Sequence, residues 1–321
     1  MTFNDRLKIF KRTAARQGMF GSYWLVGRLP YGVVKILMHF FIAVGFLFTV
    51  RLKKIARESL ETAFGSEKTP AEIKQIVRDC FSNFGKGMIE MIFFSSHPEK
   101  IKENVWIEGR EHLDAALKKG KGVIAVSAHF GNFPLMMLAM AQYGYHGHVL
   151  MRHTRDPKID AFLLQKRTQL GLGTIFTMPR RECVHNCLKV LRNNEILYIL
   201  MDQNFGGDGG VFVDFFGQKA ATATGPVVLA QRMQSGVVIM LISRQPDGRH
   251  KIHIDPPFDL ERDDDGEKMI YSNVARLTKT IEGYIRKQPH EWGWMHRRWK
   301  SKSAEGQESS AASPQGIPGS E

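Results

Sequence analysis

Three hydrophobic patterns follow one another along the chain. Residues 1–30 interleave Lys8, Lys11, Arg12, Arg16 and Arg28 with Phe20, Tyr23, Trp24 and Leu25, the pattern of an amphipathic segment in a membrane interface. From Tyr31 to Val50 the chain is almost continuously apolar, YGVVKILMHFFIAVGFLFTV, a run about as long as a bilayer core is thick. Lys35 and His39 interrupt it; Lys35 sits near one end, where a long side chain can snorkel to the surface. Arg51, Lys53 and Lys54 follow, and this excess of cations places that flank, with everything after it, in the cytoplasm. The preceding flank is basic too, so an in-plane or re-entrant helix stays open beside a spanning one, as does a helix buried in the globular part. The run starts too late for a removable signal peptide, and no small-residue cleavage site follows it.

Residues 51–98 carry helical spacing. ARESLETAF ends near Gly65, and Thr69-Pro70-Ala71-Glu72 starts a second helix, with Thr as N-cap and Pro in the first turn, running through IKQIVRDCFSNFGKGMIEMIFF. From about residue 104 short apolar runs alternate with helical stretches. VWIEG, GVIAVSA, HGHVLMRH, GTIFTM and EILYILMDQN read as strands, and EHLDAALKKG, PLMMLAMAQYGY, DPKIDAFLLQKRTQLG and CVHNCLKVLRNN as the helices between them. GVFVDFFG, a Thr/Ala-rich turn, the helix PVVLAQRMQSG, the strands VVIMLISR and HKIHIDPP and a last helix over about 267–287 complete the series. The fold class is α/β: a mostly parallel central sheet flanked by helices, preceded by a membrane-associated helical region. The domains read as 1–55, a basic segment with membrane anchor; 56–300, the α/β domain; and 301–321, a low-complexity, apolar-poor tail read as disordered.

Candidate chemistry gathers at the carboxyl ends of two of these strands. In KGVIAVSAHFGNFP the strand delivers His129 into a sharp turn before a helix, where catalytic groups of open α/β sheets sit. Gly131 and Asn132 there allow backbone N–H groups to approach a ligand at a helix start. Asp202, in Met201-Asp202-Gln203-Asn204-Phe205-Gly206-Gly207, ends a later strand on the same sheet edge, so it can lie close to His129 in space. A carboxylate that orients an imidazole and stabilises its cation is the usual partner of a histidine base. The plainer reading of DQNFGGDGG is a glycine-rich surface loop, and of a lone histidine, a structural role.

Composition narrows the partners. The 45 Lys and Arg against 32 Asp and Glu leave a formal charge of +13, which suits an anionic membrane, an acidic carrier protein or nucleic acid. The cations are scattered, with no nucleic-acid-binding signature, and the long apolar run argues further against nucleic acid. Three cysteines, Cys80, Cys183 and Cys187, form no disulfide framework and fit a reducing compartment. Cys183-x-His185-x-Cys187 lacks the second ligand pair of a zinc site, so no metal is expected.

Together SAHFGNF, the strand ending in DQN, GVFVDFFGQKAATATGPVVLA and the terminal EWGWMHRRWK resemble the lipid A biosynthesis lauroyl/myristoyl acyltransferases, within the glycerolipid acyltransferase superfamily. The likeness runs from about residue 25 to 300, and RLKKIARESLETAFG is similar to the stretch after that family's N-terminal membrane helix. It implies an enzyme at the cytoplasmic face of the bacterial inner membrane. Such an enzyme moves a fatty acyl chain from a carrier thioester, acyl carrier protein or coenzyme A, to a hydroxyl of a lipid A-type glycolipid. No bound cofactor is implied; the acyl thioester is a co-substrate. His129 takes the base position of the family's His-x4-acid motif, but Pro134 stands where the acid belongs. Asp202, matching the family's Asp after the later strand, takes over the orienting role, or His129 works with a backbone carbonyl or water behind it, or the chain binds lipid without turnover. By the same resemblance Arg152, Arg167, Gly131, Asn132 and Gln203 are substrate-binding residues, with either arginine holding a phosphate of the glycolipid or of the carrier's arm. An acyl-CoA-dependent enzyme acting on a lysophospholipid or aminolipid is the alternative. The PVVLAQRMQSG helix either lines an acyl channel or packs, with Thr222 and Thr224 as turn and cap residues.

Overall fold

The computed structural model describes residues 3–206 and 209–302. Gly207 of the glycine-rich loop and nearly all of the tail read as disordered lie outside the described residues. Four helices come first: α1 (Phe3–Val26), α2 (Tyr31–Phe48), α3 (Val50–Phe64) and α4 (Pro70–Ser96). The start of α4 forms a full capping box. Thr69 Oγ1 accepts from the Glu72 N–H at 3.3 Å, and Glu72 Oε2 accepts from the Thr69 N–H at 2.8 Å. Helix α2 rests on α4 through Val34 and Met38 but leaves Ile36, Phe40, Phe41, Leu47 and Phe48 exposed. It is not a helix buried in the globular part. At roughly 27 Å it has the length and composition to cross a bilayer core.

The remaining elements are α5 (Ile101–Asn104), β1 (Val105–Glu108), α6 (Arg110–Leu117), β2 (Val123–Ser127), α7 (Phe133–Gln142), β3 (Gly147–Met151), α8 (Pro157–Gln169), β4 (Leu172–Phe176), α9 (Arg180–Arg192), β5 (Ile196–Leu200), β6 (Gly210–Phe215), β7 (Gln218–Ala223), α10 (Gly225–Met233), β8 (Gly236–Arg244), β9 (His250–Ile254) and α11 (Gly266–Lys287). Seven strands form one sheet in the order β1-β9-β8-β2-β5-β3-β4. Its pairs are parallel except β8–β9, which meet antiparallel.

Alternation explains why β2 is buried on both sides. Ile124 and Val126 face α3, α9, α10 and α11, while Val123 and Ala125 face α6 and α7. Register then positions the site. Ser127 pairs with Leu200, so His129 and Asp202 each stand two residues beyond a matched pair on neighbouring strands.

Three local expectations change. The Thr/Ala-rich stretch is not a turn but strand β7, paired with β6 around Phe216-Gly217, both at positive φ as a two-residue hairpin requires. Thr222 accordingly is a buried strand residue, while the Thr224 hydroxyl donates to Gly209 O rather than capping α10. Helix α10 packs on β2, α9 and α11, away from the apolar groove described below. Cys183 and Cys187 turn into the core from α9, where burial pushes the Cys187 thiol up to about 12, and His185 faces outward.

Candidate active site

Three donors converge on one buried carboxylate. Asp202 Oδ1 lies 2.9 Å from His129 Nδ1, and Asp202 Oδ2 accepts from the His129 backbone N–H at 2.9 Å and from Trp292 Nε1–H at 2.7 Å. The Asp202 side chain is fully enclosed. Burial alone would push its carboxyl up; the imidazole beside it and these N–H groups outweigh burial and hold it well below the usual carboxylate range. An ionised carboxylate only accepts, so His129 Nδ1 carries a proton, and in the neutral ring Nε2 presents a lone pair. The His129 side chain is 29% exposed, so that lone pair is open to a substrate.

The closing segment after α11 builds the other wall. The Gly293 N–H donates to His129 O at 2.9 Å, the Gly131 N–H to Glu291 O at 2.8 Å, and Phe130 bridges to Trp292. Behind this, Cys80 Sγ donates to Trp292 O. His296 stacks edge-on to Trp292, its ring centre 6.5 Å from that of His129. Its Nδ1 lies 2.8 Å from Gly293 O, and burial pushes its pKa down, which favours the neutral ring. Arg298, fully buried, donates to Gln203 O, Ala221 O and Thr222 Oγ1, pinning the loop that carries Asp202; burial lowers its pKa to about 10.

The other anticipated residues divide. Gly131 is required by geometry: φ is +57°, and a Cβ would stand 1.9 Å from Ile242 O. Its N–H, however, is committed to Glu291 and is not offered to a ligand. Asn132 is likewise turned inward as the N-cap of α7, accepting from the Leu135 N–H and donating to Gly87 O and Glu90 Oε2. Pro134 falls in the first turn of that helix, where it lacks nothing the helix needs. Gln203 has an exposed side chain beside Asp202. Arg152 is exposed at the carboxyl end of β3, two strand spacings, roughly 10 Å, from β2. Arg167 is not brought to the pair: it lies buried between α8 and edge strand β4, its Nε–H donating to Thr174 Oγ1 at 2.9 Å.

A second buried carboxylate supports the turn from below. Glu90, on α4, pairs both oxygens with Arg244, lies 3.0 Å from His250 Nε2, and accepts from Asn132. Burial alone would raise its pKa; the bonds from His250 and Arg244 bring it down to about 2. Arg244 continues the network to Asn83, and its backbone N–H donates to Glu291. Sequence reading missed this cluster and the role of Trp292. The signals were there: a lone acid inside the apolar run MIEMIFF, and a terminal EWGWMHRRWK dense in Trp, His and Arg.

An apolar groove of about 540 Å³ opens between α2 and α4, lined among others by Phe41, Phe46, Phe84, Met88 and Met295. Met295 adjoins His296, so the groove reaches the wall of the site.

An α/β sheet with a histidine–carboxylate pair at the carboxyl ends of adjacent strands, beside a groove for an apolar chain, is the layout of a group-transfer enzyme handling lipid. Residues 3–301 match the family described as bacterial lipid A biosynthesis acyltransferase, and the chain belongs to that family; it is an acyltransferase. It is 27% identical over 304 residues to the lipid A biosynthesis lauroyltransferase of Escherichia coli (strain K12), covering 93% of this chain and 92% of that protein. The lipid A biosynthesis palmitoleoyltransferase of the same organism is 25% identical over 292 residues, 88% of this chain and 90% of its own. A lipid A biosynthesis acyltransferase of Haemophilus influenzae (strain ATCC 51907 / DSM 11121 / KW20 / Rd) is 28% identical over 287 residues, 86% and 87% of the two chains.

Proposed function

We propose that this acyltransferase moves a fatty acyl chain from acyl carrier protein to a hydroxyl of a lipid A-type glycolipid, at the cytoplasmic face of the bacterial inner membrane. The observation that carries the mechanism is the His129–Asp202–Trp292 arrangement. His129 Nε2 takes the proton of the acceptor hydroxyl, and the oxygen attacks the thioester carbonyl. Asp202 stabilises the imidazolium that forms. A C–O bond forms, the C–S bond breaks, and the carrier's sulfur leaves with the proton that His129 returns. The tetrahedral oxyanion develops beside the positive end of α7, whose first residue, Phe133, packs edge-on to the His129 ring at 4.9 Å. The α2–α4 groove holds the acyl chain. Arg152, exposed on the same sheet edge, meets a phosphate of the acceptor or of the carrier's arm. The family and its lipid A relatives support a glycolipid acceptor; the exposed apolar face of α2 supports the membrane; the positive charge supports an acidic carrier.

The test is transfer by the detergent-purified chain from acyl carrier protein, and separately from coenzyme A, to a lipid A-type precursor, with product read by mass spectrometry. Product from the carrier protein, lost in His129→Ala, is the expected result. Product from coenzyme A alone overturns the donor assignment, and an undiminished His129→Ala overturns the mechanism.

A further inference from the structure

A second cavity, of about 370 Å³, lies where α2 gives way to α3, between α3 and the first turns of α4. Five of its lining residues are cations: Lys53, Lys54 and Arg57 from α3, Lys74 and Arg78 from α4. Phe46, Val50 and Val77 complete the wall, and among the described residues no carboxylate lines it. Two of the cations are accounted for. Lys53 Nζ donates to Phe46 O at 2.7 Å, satisfying a carbonyl at the end of α2, and Lys54 stands 3.9 Å from Glu58. Arg57, Lys74 and Arg78 have no acidic partner among the described residues. Cations gathered around a concavity repel one another unless an anion enters.

The surroundings say what kind of anion. Phe46 lines this basic pocket and also the apolar groove, so the two share a wall. Leu47, Phe48 and Val50, at the end of the apolar helix, are all strongly exposed beside it. A concave cluster of cations joined to an apolar groove fits an amphiphile with an anionic head. An acidic protein surface would instead meet cations on an open face. Along α4, Arg78 stands roughly 14 Å from Gly87, where Asn132 of the His129 turn is anchored. The pocket is thus distinct from the reacting centre.

We propose that Arg57, Lys74 and Arg78 form a binding site for a phosphate group carried by a membrane lipid. This rests on the acyltransferase reading only for which lipid supplies the phosphate. Two arms separate the sources: the glycolipid acceptor, or the phospholipid of the bilayer.

The variant is Lys74→Gln/Arg78→Gln in the full chain. Lys118→Gln/Lys119→Gln, removing the same charge at the far edge of the sheet, is the control. The first arm measures KM for a phosphorylated glycolipid acceptor and for the same acceptor after phosphatase. A rise in KM of about tenfold to a hundredfold for the phosphorylated form only, with kcat kept, identifies the acceptor's phosphate. The second arm counts, by native mass spectrometry from detergent, phosphatidylglycerol retained against phosphatidylcholine. Loss of phosphatidylglycerol retention with KM unchanged identifies the bilayer phospholipid. The proposal is overturned if neither arm moves, if the control moves both equally, or if KM changes only for the acyl carrier protein donor, which makes the pocket a protein-docking site. Should the wild type acylate nothing, the proposed reaction fails while the retention arm still decides the pocket.

Discussion

Among the buried carboxylates of the described residues, Asp202 and Glu90 are each within hydrogen-bond distance of a histidine, and they differ in what the histidine can reach. Asp202 and Glu90 are both sealed and both held below the ordinary carboxylate range by their partners. His129 keeps one nitrogen toward a space that a substrate can enter. His250, 2% exposed, spends Nε2 on Glu90 and leaves Nδ1 enclosed with no partner among the described residues. Glu90 also neutralises Arg244, whereas among the described residues Asp202 bonds no arginine or lysine. A histidine–carboxylate pair is therefore not by itself a reactive device. The open pair has a free lone pair and a charge it can share with a proton; the closed pair is a cross-link between α4, the sheet and the turn of Asn132.

Substitution tests that contrast, beginning with the largest effect. His129→Ala lowers kcat by about two to four orders of magnitude with an unchanged melting curve. Asp202→Asn, which preserves shape but removes the charge that stabilises the imidazolium, falls by a similar factor; full activity in this variant would dissolve the distinction between the two pairs. Glu90→Gln does the opposite. It leaves Arg244 without its counter-charge and costs about 3–5 kcal/mol of stability in denaturant unfolding, while kcat drops by much less than in His129→Ala. A catalytic collapse without loss of stability would move Glu90 into the chemistry.

Acid sharpens the same point. The Glu90 carboxyl is lowered in the folded chain from 4.5 to about 2, so its contribution is complete above pH 4.5 and disappears as pH falls through about 2. Unfolding curves of wild type and Glu90→Gln should lie apart above that window and converge below it; a constant gap would mean the charge is not what Glu90 supplies. The smallest effect belongs to Pro134→Glu. Asp202 already occupies the Nδ1 side of His129, so restoring the motif acid changes kcat by no more than about twofold. An activation of a hundredfold would show that Asp202 is not the operating partner.

Much of this was legible from one dimension. The apolar run of β2, the histidine after it and the acid after β5 announce themselves by position, and parallel register does the rest. The donors on the turn were not legible. Spacing shows that Gly131 and Asn132 flank a helix start, but not that Glu291 and Glu90, remote in sequence, already engage them. Arg167 shows the converse: its motif position is clear, yet the fold buries it at the sheet edge with its Nε–H donating to Thr174. Thr222 was read as a turn residue because Thr and Ala in alternation carry a weak signal; the partner that makes it a strand, β6, and the arginine that seats it, Arg298, lie elsewhere. Long-range polar pairing has no period along the chain, and that is where the reading stopped.

Trp292 and Gly293 close the site from the segment after α11, far along the chain from the apolar helix α2. During synthesis α2 leaves the ribosome early, and Trp292 follows only after the whole sheet, on the order of ten seconds to a minute later at ordinary elongation rates. Until then Asp202 lacks its indole donor and the His129 carbonyl lacks its Gly293 partner. On the membrane-bound reading proposed above, the nascent protein settles on the bilayer through α2 well before it owns a finished catalytic centre, and a chain cut short before residue 292 would reach that surface without ever acquiring one.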